Sequence, residues 1–143
     1  MSRRFARGLV AAIALLVGGV ARPDAGGGLP APSLATKDGG EIFGQICVSC
    51  HMADARGAVG GGHYPSLAAN PAFKVKDYPA RVVLFGRHNM PAFGAKHAVA
   101  MFYDPVVLSP AQIAAVVNYV RSHFGNAYKD AVTAADVERL DTK

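Results

Sequence analysis

Two thiols and an imidazole concentrate the chemistry this sequence can do. They stand together in Cys47-Val48-Ser49-Cys50-His51, a C-x-x-C-H pattern that reads as an attachment site for haem c. The spacing has a physical basis. Residues i and i+3 share one face of a helical turn, so both thiols can reach the two vinyl groups along one porphyrin edge. His51 directly follows the second thiol and is then held under the iron as its proximal ligand. A C-x-x-C redox dithiol would require a βαβ setting, which the pattern of the chain does not supply. A zinc site would require further ligands, and Cys47 and Cys50 are the only cysteines. One covalently attached haem c per chain is the expected cofactor.

The opposite face of the iron is less constrained. Electron-carrying haem proteins use methionine there, because a soft thioether favours Fe(II) and raises the potential. Of the four methionines, Met1 lies at the extreme N-terminus and Met52 adjoins His51, on the wrong side. Met90 and Met101 remain, with an open iron or a second histidine as the other possibilities. His63, His88, His97 and His123 read as surface or loop residues, although His88 stands two residues from Met90 and could substitute for it. Arg81 and Arg87 could reach a haem propionate through charge-assisted bonds, or could simply be solvated.

Four helical segments must position these groups. Asp38 to about Cys50 places Ile42, Phe43 and Ile46 on one face. Asp77 to Phe85 carries Val82, Val83, Leu84 and Phe85 and stops at Gly86. The third is the clearest: Ser109 caps, Pro110 opens the helix and Gln112 completes a Ser-x-x-Gln box. Ile113, Val116, Val117, Val120 and Phe124 follow at helical spacing, with Gly125 as the C-cap. A short fourth helix begins at a Thr133-x-x-Asp136 box, ahead of Val137 and Leu140. Between the first two lies a glycine-rich loop, Gly57 to Gly62. No stretch alternates with period two, so the expected class is all-α.

The N-terminus reads as an export signal. Arg3, Arg4 and Arg7 precede an apolar run from Leu9 to Val20, and Gly19-Val20-Ala21 fits cleavage after Ala21. The run is shorter than the roughly 20 apolar residues of a spanning helix; a retained anchor is the alternative. Residues 22–37 are rich in Gly, Pro, Ala and Ser and read as a flexible leader. The expected organisation is thus signal 1–21, leader 22–37, folded domain 38–128, and a tail with a short helix over 129–143. Without the three arginines of the signal, 12 basic residues face 10 acidic ones, a formal +2. That is too mild to argue for nucleic acid. Membrane contact is expected only through a partner or an uncleaved signal, and the expected location is the periplasm.

Several segments together resemble the class I cytochrome c family, over about residues 39–126. They are most similar to the small mono-haem subunits and domains that accompany bacterial periplasmic dehydrogenases. Gly39 and Phe43 match the small and aromatic residues that interlock in that family with an aromatic on the last helix, here Tyr119. Gly62-His63-Tyr64-Pro65-Ser66-Leu67 resembles the G-x-x-P-x-L segment, which implies that the Pro65 carbonyl accepts the Nδ1–H of His51 and that Pro65 and Leu67 contact the haem. Met90-Pro91-Ala92-Phe93-Gly94 resembles the segment that carries the distal methionine. The family's methionine stands close to its final helix, however. Met101 to Leu108 keeps that spacing, whereas Leu108 stands 18 positions after Met90. An apparent insertion, AKHAVAMFYDP, accounts for the difference, and the specificity of Pro91 and Phe93 favours Met90 over Met101.

The resemblance implies a cytochrome c fold and no enzymatic activity of the chain's own. It implies single-electron transfer as the acceptor subunit of a periplasmic dehydrogenase that feeds the respiratory chain. A free soluble carrier serving a terminal oxidase or reductase is the alternative, and an enzyme or ligand sensor would need an open iron. Docking is expected on an apolar patch near Ala53, Val59 and Ala92.

Overall fold

A computed structural model describes residues 34–60, 62–99 and 105–142. The expected signal, most of the leader and Met101 lie outside the described residues. Asp38 opens the first helix by accepting the Glu41 amide on its carboxylate at 2.8 Å. α1 (Gly39–Ile42) passes through a π-helical turn (Phe43–Cys47), in which the Val48 amide reaches back to Phe43 O, into α2 (Val48–His51). The single helix expected here is therefore interrupted. Such a turn inserts an extra residue into the helical ladder and is frequent at functional sites.

α2 ends at Met52, whose φ of 63° turns the chain sharply. The glycine-rich loop forms a two-residue hairpin, β1 (Ala58–Val59) against β2 (His63–Tyr64), which leaves the all-α class intact. A 3-10 turn (Pro71–Lys74) then leads into α3 (Asp77–Phe85). α4 (Pro110–Ser122) carries the Ser109–Gln112 capping box with both reciprocal bonds formed. It stops two residues earlier than expected. Phe124 takes a left-handed φ of 56°, which lets its ring pack on Phe43 at 4.9 Å and its carbonyl accept the Ala69 amide at 3.0 Å. Tertiary packing here overrides a periodicity that would have continued.

α5 (Ala134–Asp141) starts at the Thr133–Asp136 capping box. Its Val137 and Leu140 are buried in the same core as Ile42, Leu84, Ile113 and Val117. The 129–143 segment thus does more than trail behind the domain, since α5 packs on both α3 and α4. Upstream, Gln112 Nε2 donates to the carbonyls of Leu34 and Thr36, tying down the residues just before α1.

α1 crosses α4 with little clearance. A Cβ on Gly39 would stand 2.3 Å from Ala115 O and 2.8 Å from Tyr119 Cβ, so only glycine permits this approach. Beside that crossing, Phe43 meets Tyr119 with ring centroids 5.8 Å apart. Among the described residues no helix is long and apolar enough to cross a membrane.

Candidate functional site

Cys47 closes the π-helical turn and Cys50 lies one turn on, both half-buried with free thiols. Burial, followed by the neighbouring Cys50, pushes the Cys47 thiol up to about 11. At neutral pH it is therefore protonated and a poor nucleophile within the folded frame.

His51 ends α2 and is only 6% exposed. Its Nδ1 stands 3.0 Å from Pro65 O. A carbonyl can only accept, so the proton sits on Nδ1 and the lone pair of Nε2 is left for a metal. The intervening loop is wound tightly to bring this about. The Gly57 amide bonds His51 O at 3.0 Å, and the buried Ala55 offers its carbonyl to the amides of Leu67 and Ala68 at 2.8 and 3.1 Å. Ala55 itself holds a left-handed φ of 58°, a conformation that alanine adopts only under tertiary constraint. The structure thus sets Cys47, Cys50 and His51 on one stretch of helix with the Pro65 carbonyl against His51, and ties Leu67, two residues on, to Ala55.

Met90 comes from a different part of the chain. It follows α3 in a tight turn, where the Arg87 amide bonds Met90 O at 3.1 Å and the Met90 amide bonds Arg87 O at 2.9 Å. His88 occupies the turn at φ 53°. Gly86 makes the turn possible: at φ +73° a Cβ there would lie 2.7 Å from Met90 O. The segment is then pinned alongside α3 by the Phe93 amide to Val83 O at 3.0 Å and the Gly94 amide to Leu84 O at 3.1 Å. The chain leaves at Gly94 and returns at Leu108, where the Leu108 amide bonds Phe93 O at 2.8 Å and Gly94 and Leu108 form a parallel bridge.

The remaining candidates are occupied otherwise. His97 Nε2 lies 2.7 Å from Asp141 Oδ1, and His123 stacks on Tyr119 with centroids 4.1 Å apart. His63 and His88 are exposed. Arg81 lies over the Phe85 ring at 5.3 Å, whereas Arg87 donates to the Tyr78 hydroxyl. Of the expected docking patch, Val59 is 85% exposed and Ala53 is exposed, with Ala92 half-buried.

Residues 36–124 match the family model for Cytochrome c. The chain belongs to the cytochrome c family. Its cofactor is haem c, and Cys47 and Cys50 fit the attachment site that this family uses. The donor set suits the group: two thiols on one turn, and an imidazole with one nitrogen engaged and the other free. This cytochrome c is 37% identical over 107 residues to the "Alcohol dehydrogenase (quinone), cytochrome c subunit" of Gluconobacter oxydans, covering 73% of this chain and 22% of that one. It is 37% identical over 112 residues to the "Fructose dehydrogenase cytochrome subunit" of Gluconobacter japonicus, covering 71% and 21%. The "Gluconate 2-dehydrogenase cytochrome c subunit" of Pantoea cypripedii is 31% identical over 108 residues, covering 73% and 24%. The cytochrome c therefore spans less than a quarter of each of these relatives.

Two polar residues that shape the domain, Arg121 and Asn126, went unmarked in the sequence, and both are buried. Arg121 is 1% exposed; it donates from Nε to Phe73 O at 3.0 Å and from Nη2 to Asp130 Oδ1 at 2.7 Å. Its partner Phe73 lies 48 residues away. No local pattern announces such a partner.

Proposed function

We propose that this chain transfers single electrons through one haem c, whose iron His51 Nε2 and Met90 Sδ would hold. We infer further that it receives electrons from the catalytic subunit of an exported dehydrogenase in the periplasm. Haem iron, when bound, supplies the one-electron couple. The observation that carries the reading is the 3.0 Å approach of His51 Nδ1 to Pro65 O. It fixes the tautomer and enriches the ring in electrons.

Met90 is favoured over Met101 by the way the chain closes behind it. Phe93 and Leu108 are joined by one hydrogen bond, so at Leu108 the chain is back at the place it left at Gly94. The insertion therefore follows the Met90 segment, and that segment keeps a direct connection to α4. Pro65 and Leu67 are proposed to contact the ring. The dehydrogenase partner is supported by the names of the relatives, and export is supported by residues 1–21.

Purification of the tagged chain from its producing organism tests the partner. The expected result is a co-purifying catalytic subunit whose substrate reduces the haem. A chain that elutes alone, and that no co-extracted dehydrogenase reduces, would favour the free carrier. Mass spectrometry should find one haem added to a chain beginning near Arg22, surviving acid–acetone extraction. Freely extracted haem would overturn the attachment at Cys47 and Cys50.

A further inference from the structure

We propose that Asn126 is a positioning residue for the iron's proximal ligand, holding the loop whose Pro65 carbonyl meets His51. The inference rests on the reading of His51 as that ligand. Asn126 lies beyond the end of α4, is 6% exposed, and uses every part of its amide. Its Oδ1 accepts the Asn70 amide at 2.9 Å. Its Nδ2 donates to Leu67 O at 2.9 Å and to Val120 O at 2.8 Å. The two carbonyls can only accept and the backbone amide can only donate, so the orientation of the side chain is fixed by its partners.

Leu67 and Asn70 bracket the end of the loop that begins at Pro65. From one side, Ala55 O holds the amides of Leu67 and Ala68, as described above. From the other side, Asn126 takes Leu67 O and the Asn70 amide, and Phe124 O takes the Ala69 amide at 3.0 Å. Within the loop, Asn70 Nδ2 donates to Ser66 O at 3.0 Å. Leu67 O is two peptide units from Pro65 O. The amide of Asn126, with the Tyr128 hydroxyl that donates to Asn70 O at 3.3 Å, thus ties the chain beyond α4 to the loop that carries the carbonyl facing His51, and only Asn126 reaches Leu67 within it.

Removing the amide leaves Leu67 O and the Asn70 N–H without these partners in a half-buried place, and Val120 O with only the long 3.4 Å bond from the His123 amide; a segment with unmade bonds moves to remake them. A displaced Pro65 carbonyl weakens the bond from Nδ1–H. The imidazole then donates less electron density, which favours Fe(II) over Fe(III).

Redox titration of the purified holoprotein tests this, with Asn126→Ala and the milder Asn126→Ser compared with Val137→Ala. The last variant opens the core on α5 without touching the loop. The expected result for Asn126→Ala is a shift of at least threefold in the redox equilibrium toward Fe(II). That is about 28 mV, at 59 mV per tenfold for one electron. Asn126→Ser should shift it in the same direction, and the His51 ring resonances should move in the NMR spectrum of both. Val137→Ala should lower stability and leave potential and resonances in place. An unchanged potential in a destabilised Asn126→Ala would overturn the proposal, as would failure of both Asn126 variants to accumulate with haem, which would make the residue's role one of folding. The ligand reading is checked separately with His51→Ala. If that variant keeps the parent spectrum and potential, the reading itself falls; if only the Asn126 variants are silent, the buttress alone falls.

Discussion

The proposed thioether ligand of the iron is the residue-scale feature with the largest expected effect. Met90→Ala should abolish the long-wavelength charge-transfer band of sulfur-ligated Fe(III) and lower the potential by about 100 mV, on the order of 2 kcal/mol for one electron. Met101→Ala should keep both. The reverse pattern would show that the insertion precedes the ligand. His88 stands exposed in the same turn as Met90 and could bind in its place, keeping the iron low-spin, so the potential is the decisive measurement. At this scale, legibility followed covalent chemistry. Cys47, Cys50 and His51 are contiguous because one porphyrin edge demands it. Asn126 and Arg121 act on partners 48 to 59 residues away, and nothing in their neighbourhoods records that distance.

Two helix contacts carry predictions at the scale of elements. Gly39→Ala would drive a methyl into Ala115 O and Tyr119 and spread the α1–α4 crossing. It should cost about 1–3 kcal/mol, seen as a lower denaturant midpoint at unchanged slope. The second contact is that of α5. Asp130 is held below the ordinary carboxylate range by its bond from Arg121. Asp136 is lowered by the Thr133 amide and then Lys76, and Asp141 by Lys96 and then His97. Lowered carboxyls stabilise the fold above their unfolded values, near about pH 4, and lose that contribution as pH falls through the folded values. Hydrogen exchange below about pH 4 should therefore open α5 before α1 and α4. Exchange rising first in α1 would contradict this. Both capping boxes were readable because each is a contract between neighbours. The docking of α5 was not, because Val137 and Leu140 alone give no sign of where they will pack, and the π-helical turn left no mark in the residue types that form it.

For the molecule as a whole, the haem decides stability. A porphyrin burying several hundred Å² at ~25 cal/mol/Å² contributes on the order of 10 kcal/mol before ordering costs, comparable to the total stability of a small domain. Chain made without haem should therefore show little cooperative unfolding, whereas holoprotein should unfold in one transition. Circular dichroism during heating separates the two, and a sharp transition in haem-free chain would contradict the estimate. Partner docking is expected to rest on apolar contacts near Ala53 and the exposed Val59, since only a formal +2 remains without the expected signal. Electron transfer from the partner should change only modestly between about 20 and 300 mM salt; a fall by orders of magnitude would assign docking to charge steering.

The bond from the Leu108 amide to Phe93 O has a consequence for how this domain can vary. A loop whose two ends already touch changes its closure entropy only logarithmically with length, about 0.6 kcal/mol per doubling. Length can then be added between His97, whose ring with Lys96 pairs with Asp141, and Leu108 while Met90 on one side and α4 on the other stay in register. Beside the proposed methionine ligand the domain thus offers a place where sequence can grow at little thermodynamic cost.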